Sequence, residues 1–174
     1  MIRSVIVCAL ISVMTVAAAT ELIVTQQNAP DFYRGYQRMT EHPHWVSLRI
    51  AVLCTMPRRE DEVRERKITG VHYNTRVHIY ANQPAAQVVA ANAAVFSIGA
   101  VIVKEKLNEQ GRISAVGGMI KRSPGYDAAN GDWEYFYYGG EGEFANGRIK
   151  SCIDCHRSAK SKDYTYRVWY APRQ

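Results

Sequence analysis

The chain has 174 residues, 47% of them hydrophobic, with 22 Lys+Arg against 16 Asp+Glu and a net charge of +6. That length gives one domain with a real core. The positive surplus comes without the basic runs of a nucleic-acid binder, so it fits an acidic redox partner or plain solubility better.

Residues 1–19 read as a cleaved signal peptide: Arg3 gives a positive start, Val5 to Val16 is almost wholly apolar, and Ala17-Ala18-Ala19 is a small-residue cleavage site. The apolar run is too short to serve as a stable membrane anchor, and the expectation is a periplasmic or secreted protein. Residues 20–174 then form a single domain. A short helix is expected around Asp31 to Thr40. Cys54 follows the apolar run Ile50 to Leu53 and reads as a buried thiol, with an intermolecular disulfide as the alternative. Pro57 to Lys67 carries both charge signs densely and reads as a solvated face.

From Thr75 the pattern turns to strands. Thr75 to Tyr80 alternates with period two and ends at the turn signal Asn82-Gln83-Pro84. Ala85 to Ala94 reads as a helix. Gly99 to Leu107, Arg112 to Lys121 and Trp133 to Tyr138 read as three further strands, divided by turns at Asn108 to Gly111 and Ser123 to Gly131. A Gly-rich loop follows, and Tyr164 to Tyr170 alternates as a last strand. The fold class is mainly β (α+β), an antiparallel sheet with a few flanking helices. A helical bundle does not suit this turn spacing.

Between those last two segments lies Cys152-Ile-Asp-Cys-His156, the C-x-x-C-H attachment signature of one c-type haem. Each thiol would add to one vinyl group of the porphyrin. His156 would be the proximal iron ligand. A structural disulfide or half a zinc site is the rival reading, but Cys54 and the scattered His42, His44 and His72 lack zinc spacing. A methionine sixth ligand would have to be Met56 or Met119, since no methionine follows His156.

The blocks Gly99-Ala-Val-Ile-Val-Lys-Glu105, Gly118-Met-Ile-Lys-Arg122, Gly131-Asp-Trp-Glu-Tyr135 and Cys152-Ile-Asp-Cys-His156, followed by Lys162-Asp163-Tyr164, together resemble the cytochrome P-460 family and its relatives, the β-sheet cytochromes c′. The resemblance runs from about Tyr73 to Trp169, and more loosely through Tyr33-Arg34. It implies an antiparallel β fold, usually a homodimer, with a five-coordinate haem open on its distal face. Members bind small nitrogen compounds such as nitric oxide. The enzymatic branch oxidises hydroxylamine and passes electrons to a redox partner cytochrome.

Lys104 falls on the lysine of the family's Val-Lys-Glu block, which in the enzymatic branch is bonded to a meso carbon of the haem. The resemblance therefore makes Lys104 a candidate cross-link. Period two puts Ala100, Ile102 and Lys104 on one strand face, with Glu105 turned the other way toward an ion pair with Lys121 or Arg122. Arg76 and His78 share a face and are candidates for lining the pocket, Arg76 as a catalytic residue. Phe96 is a candidate cap for the distal face, as in the gas-binding branch. The distal carboxylate of the enzymatic branch has no clear place here, Glu141 and Glu143 being the nearest upstream acids. Three functions stay open: an oxidase of hydroxylamine, a gas-binding cytochrome, and a six-coordinate electron carrier with no substrate.

Overall fold

Alternation along the chain sets the architecture. In the computed structural model, which describes residues 21–45 and 76–167, the strands are β1 (Gln37–Arg38), β2 (His44–Trp45), β3 (Arg76–Ala81), β4 (Val101–Leu107), β5 (Ile113–Lys121), β6 (Trp133–Gly139) and β7 (Phe144–Gly147). They form one antiparallel sheet in the order β1-β3-β4-β5-β6-β7, with β2 also paired to β3. Two helices flank it, α1 (Gln83–Ala90) and α2 (Lys150–His156), the latter continued by a 3-10 turn over Arg157–Lys162. Among the described residues no helix is long and apolar enough to cross a membrane. The expectations for residues 1–19, Cys54, Met56, residues 57–67, His72 and the last strand beyond residue 167 lie outside the described residues.

The register makes the two faces of the sheet distinct. Ile79, Lys104, Gly117 and Tyr137 stand in one cross-strand row, and Ala81, Ile102, Met119 and Tyr135 in the next. Directly opposed residues share a face, so both rows look the same way. Over that face pack Ala85, Ala86 and Val89 of α1 and Ile153 of α2. Helix α1 is fixed at its start by Asn82, whose side-chain oxygen accepts from Ala85 N at 3.2 Å and from Val101 N at 2.9 Å.

The opposite face carries the rows Tyr80-Val103-Gly118-Phe136 and His78-Glu105-Val116-Tyr138. Val24, Ala29 and Tyr33 of the N-terminal segment close over it. Buried Glu105 accepts from Tyr33 Oη at 2.8 Å and from Tyr80 Oη at 3.0 Å. It is therefore not the ion-pair partner of Lys121 or Arg122. Lys121 bonds Asp163 at 2.7 Å, and Arg122 Nε donates to Glu134 at 2.8 Å. Desolvation first, then the Glu105 hydrogen bond, holds the Tyr33 phenol well above the ordinary tyrosine range.

Three local expectations change. The helix at Asp31 to Thr40 is instead a series of turns through residue 35 followed by β1. Its aromatic residues Phe32, Tyr33 and Tyr36 pack as a cluster on the sheet, ring centroids 5.6 Å and 5.9 Å apart from Phe32. Tyr164 does not begin a strand, because Asp163 and Tyr164 take left-handed φ values of 52° and 59°. The Gly-rich stretch before α2 contains β7, paired to β6 from Tyr135↔Gly147 to Tyr138↔Phe144.

Gly117 and Gly118 are adjacent but required for different reasons. A Cβ at Gly118 would overlap the Ile102 carbonyl and stand 2.6 Å from the Phe136 ring, whereas one at Gly117 would meet nothing closer than 3.4 Å. Gly118→Ala is thus expected to destabilise the fold by about 1–3 kcal/mol through overpacking, with Gly117→Ala costing clearly less. Denaturant unfolding of the two variants checks this, and equal losses would contradict the assigned faces.

Candidate functional site

Helix α2 presents its residues in three sectors. Ile153 and His156 point inward and are buried, Cys152 and Cys155 are half-buried at the boundary, and Lys150, Ser151 and Asp154 are exposed. Spacing of three on a helix brings both cysteines to one edge. Both stand as thiols rather than a disulfide. Beneath the helix is a cleft of about 410 Å³, counting the open space at its mouth, lined by Ile102, Lys104, Met119, Tyr135, Cys152 and His156 together with Gly117 and Tyr137. The sheet face holding Lys104 and the C-x-x-C-H helix therefore enclose one space.

His156 is the most constrained group in it. Its Nδ1 lies 2.7 Å from the Tyr164 carbonyl oxygen. A carbonyl only accepts, so Nδ1 carries the proton and Nε2 keeps its lone pair for a metal. The rings of Tyr135 and Tyr166 flank the imidazole at 5.2 Å and 5.4 Å. Burial, and secondarily the positive charge of Lys104, lowers its pKa to about 4 against the opposing pull of the Tyr164 hydrogen bond. The ring is neutral near pH 7, the form that binds iron. Tyr166 also donates its hydroxyl to Cys155 O at 2.7 Å, closing the end of α2.

Two consecutive left-handed residues deliver the Tyr164 carbonyl, and non-glycine residues adopt that conformation at a cost of about 1–2 kcal/mol each. Asp163 supplies what holds them. Its carboxylate accepts from Lys121 Nζ at 2.7 Å and from Phe96 N at 2.8 Å, and its carbonyl accepts from Trp133 Nε1 at 2.9 Å.

Lys104 lies where the period-two reading put it, half-buried on the cleft face. Desolvation pushes its ammonium pKa below the ordinary lysine value, opposed by the Cys155 and Cys152 sulfurs, and no hydrogen bond contributes. The Tyr135 hydroxyl is likewise buried with no hydrogen-bond partner among the described residues. An apolar cleft with a solitary amine, an orphaned phenol, a pre-set imidazole and two edge thiols fits a porphyrin. Among the described residues no cluster of three or more His, Cys, Asp or Glu could hold a bare metal ion.

Other candidates lie elsewhere. Arg76 and His78 do share a face, but it is the one turned away from the cleft. Arg76 donates to the carbonyls of Asn108 at 3.2 Å and Glu109 at 3.1 Å. His78 Nδ1 bonds Thr40 Oγ1 at 3.2 Å. Phe96 is buried against Trp133, ring centroids 5.4 Å apart, and does not line the cleft. Glu141 and Glu143 are exposed on the β6–β7 turn. Missing from the sequence reading were Tyr135, Tyr164 and Tyr166. Of these only Tyr135 had a usable signal, since it shares the Trp133 face of an alternating strand.

The model for the family described as Cytochrome P460 matches residues 54–167. A comparison with curated proteins returns no match. The matched span covers about two-thirds of the chain and contains Cys155 together with Lys104, Cys152 and His156, the three of them that line the cleft. The chain is a member of the cytochrome P460 family, whose cofactor is haem.

Proposed function

We propose that this chain is an exported monohaem c-type cytochrome that binds or oxidises small nitrogen species, hydroxylamine or nitric oxide, at an open iron site. What supports it most is the convergence of Lys104, Cys152 and His156 on one cleft. Cys152 and Cys155 would hold the porphyrin through thioethers, and His156 would ligate its iron through Nε2. The bound haem supplies an iron that binds the nitrogen compound and takes up or releases electrons.

The protein's share is orientation and exclusion of water. The Tyr164 carbonyl keeps the imidazole proton on Nδ1, so Nε2 keeps its lone pair free. The Tyr135 and Tyr166 rings limit rotation of the imidazole. Lys104, on a central strand, would hold its amine toward the cofactor, and its lowered pKa raises the fraction of neutral amine there. Thioether attachment belongs to an oxidising compartment, which agrees with residues 1–19 acting as an export signal. A homodimer and a redox partner cytochrome complete the proposal; exposed Val95 and Ile98 offer apolar surface for a second copy.

A second reading rests on Met119, which lines the same cleft. Its thioether as a sixth ligand would make the protein an electron carrier with no substrate.

Two variants separate these functions. A nitrogen bonded to a meso carbon breaks the porphyrin's symmetry, so Lys104→Ala is expected to move a red-shifted reduced Soret band back to an ordinary c-type position and to abolish hydroxylamine oxidation, thioethers intact. Identical spectra for wild type and variant would mean no cross-link and a gas-binding role. Met119→Leu is expected to leave a five-coordinate, high-spin ferric spectrum unchanged. A low-spin wild type that turns high-spin in this variant would instead establish the electron carrier.

A further inference from the structure

The chain's positive charge is concentrated around the cofactor-bearing helix. Residues 148–162 hold Arg148, Lys150, Arg157, Lys160 and Lys162 against the single acid Asp154, a surplus of four out of the chain's total of six. The other residues hold 17 cations and 15 acids and are close to neutral. All five cations are exposed. Asp154 is engaged at 2.5 Å by Lys150 and at 3.8 Å by Arg157, and the surplus of four already counts it.

The outward residues recur with helical spacing, Lys150, Asp154, Arg157 and Ser158, then Ser161 on the 3-10 turn, while Ile153, His156 and Ala159 face inward. Cys152 and Cys155, half-buried, lie between these sectors. The basic surface and the C-x-x-C-H motif thus belong to the same short stretch of chain. The helix stripe is polar, and neighbouring charges act together at low salt, where the screening length is about 10–30 Å.

Resting on the haem reading above, we propose that the exposed basic surface of residues 148–162, on α2 and the following 3-10 turn, is the docking surface for an acidic electron-transfer protein. Complementary charge would steer the partner to this surface and set orientation more than final affinity. One electron passes from the ferrous haem to the partner's oxidised centre, which is reduced by one electron; no proton or bond is exchanged.

The test uses isotope-labelled ferric holoprotein mixed with an acidic blue-copper protein at low and high salt. Amide shifts are expected within residues 148–162 and should vanish as salt rises. Lys160→Glu/Lys162→Glu should weaken binding about tenfold, while Arg34→Glu/Arg112→Glu, the same change in net charge on exposed residues elsewhere, should weaken it less than about twofold. Should the glutamates disturb folding, Lys160→Gln/Lys162→Gln serves with a smaller loss in the same direction. As a second readout, oxidation of the ferrous protein by hexacyanoferrate(III), a trianion, should slow with salt, and oxidation by tris(phenanthroline)cobalt(III), a trication, should quicken. Equal losses in both variant pairs, no loss in either, or shifts mapping elsewhere overturn the docking surface. The absorption spectrum of the same sample reports haem separately: its absence would overturn the haem reading and this surface together.

Discussion

The hydrogen bond from His156 Nδ1–H to the Tyr164 carbonyl, 2.7 Å long, governs the site. It decides which imidazole nitrogen is free, and it can form only because the chain doubles back through two left-handed residues after α2. That reversal is held by Asp163, whose carboxylate reaches Lys121 and the Phe96 amide while its carbonyl takes the Trp133 indole proton. His156 is thus tied through one turn to β5, to β6 and to the loop after α1. An isolated C-x-x-C-H helix would have no such control over its histidine.

The sheet supplies the other half of the site by keeping its two faces chemically separate. On the cleft face, the amine of Lys104 is desolvated, and the buried hydroxyl of Tyr135 has no hydrogen-bond partner among the described residues, a group a protein leaves unpaired where a ligand completes it. On the other face every buried charge is answered: Glu105 by two tyrosines, Glu134 by Arg122. These pairs cross from strand to strand and to the N-terminal segment, and they stiffen the platform on which Lys104 stands. An amine directed into a cleft needs such a platform because its reach is long and its rotamers are many.

Much of this was legible in the sequence because strands β3 to β6 alternate cleanly and are divided by turn residues, and because C-x-x-C-H has few other meanings. Period two placed Lys104 beside Ile102 on one face and Glu105 on the other. It could not say which face would be covered by α2, so Arg76 and His78 were grouped correctly with each other and assigned to the wrong side. Partners distant in sequence were out of reach as well: Tyr33 meets Glu105 across 72 positions. The residues around Asp31 have aromatic side chains at helical intervals, yet these are spent on packing against the sheet and the backbone turns instead. Strand β7 was hidden by its own glycine and asparagine, which mark turns more often than edges.

Covalent attachment of one haem to α2 is the claim on which the functional reading stands, and a mass spectrum of the denatured holoprotein and of its protease fragments tests it most directly. The expected result is a chain heavier by one haem, with the added mass confined to the fragment containing Cys152 and Cys155 or to that fragment joined to the one containing Lys104. A chain of unmodified mass, or a Cys152–Cys155 disulfide in its place, would contradict it.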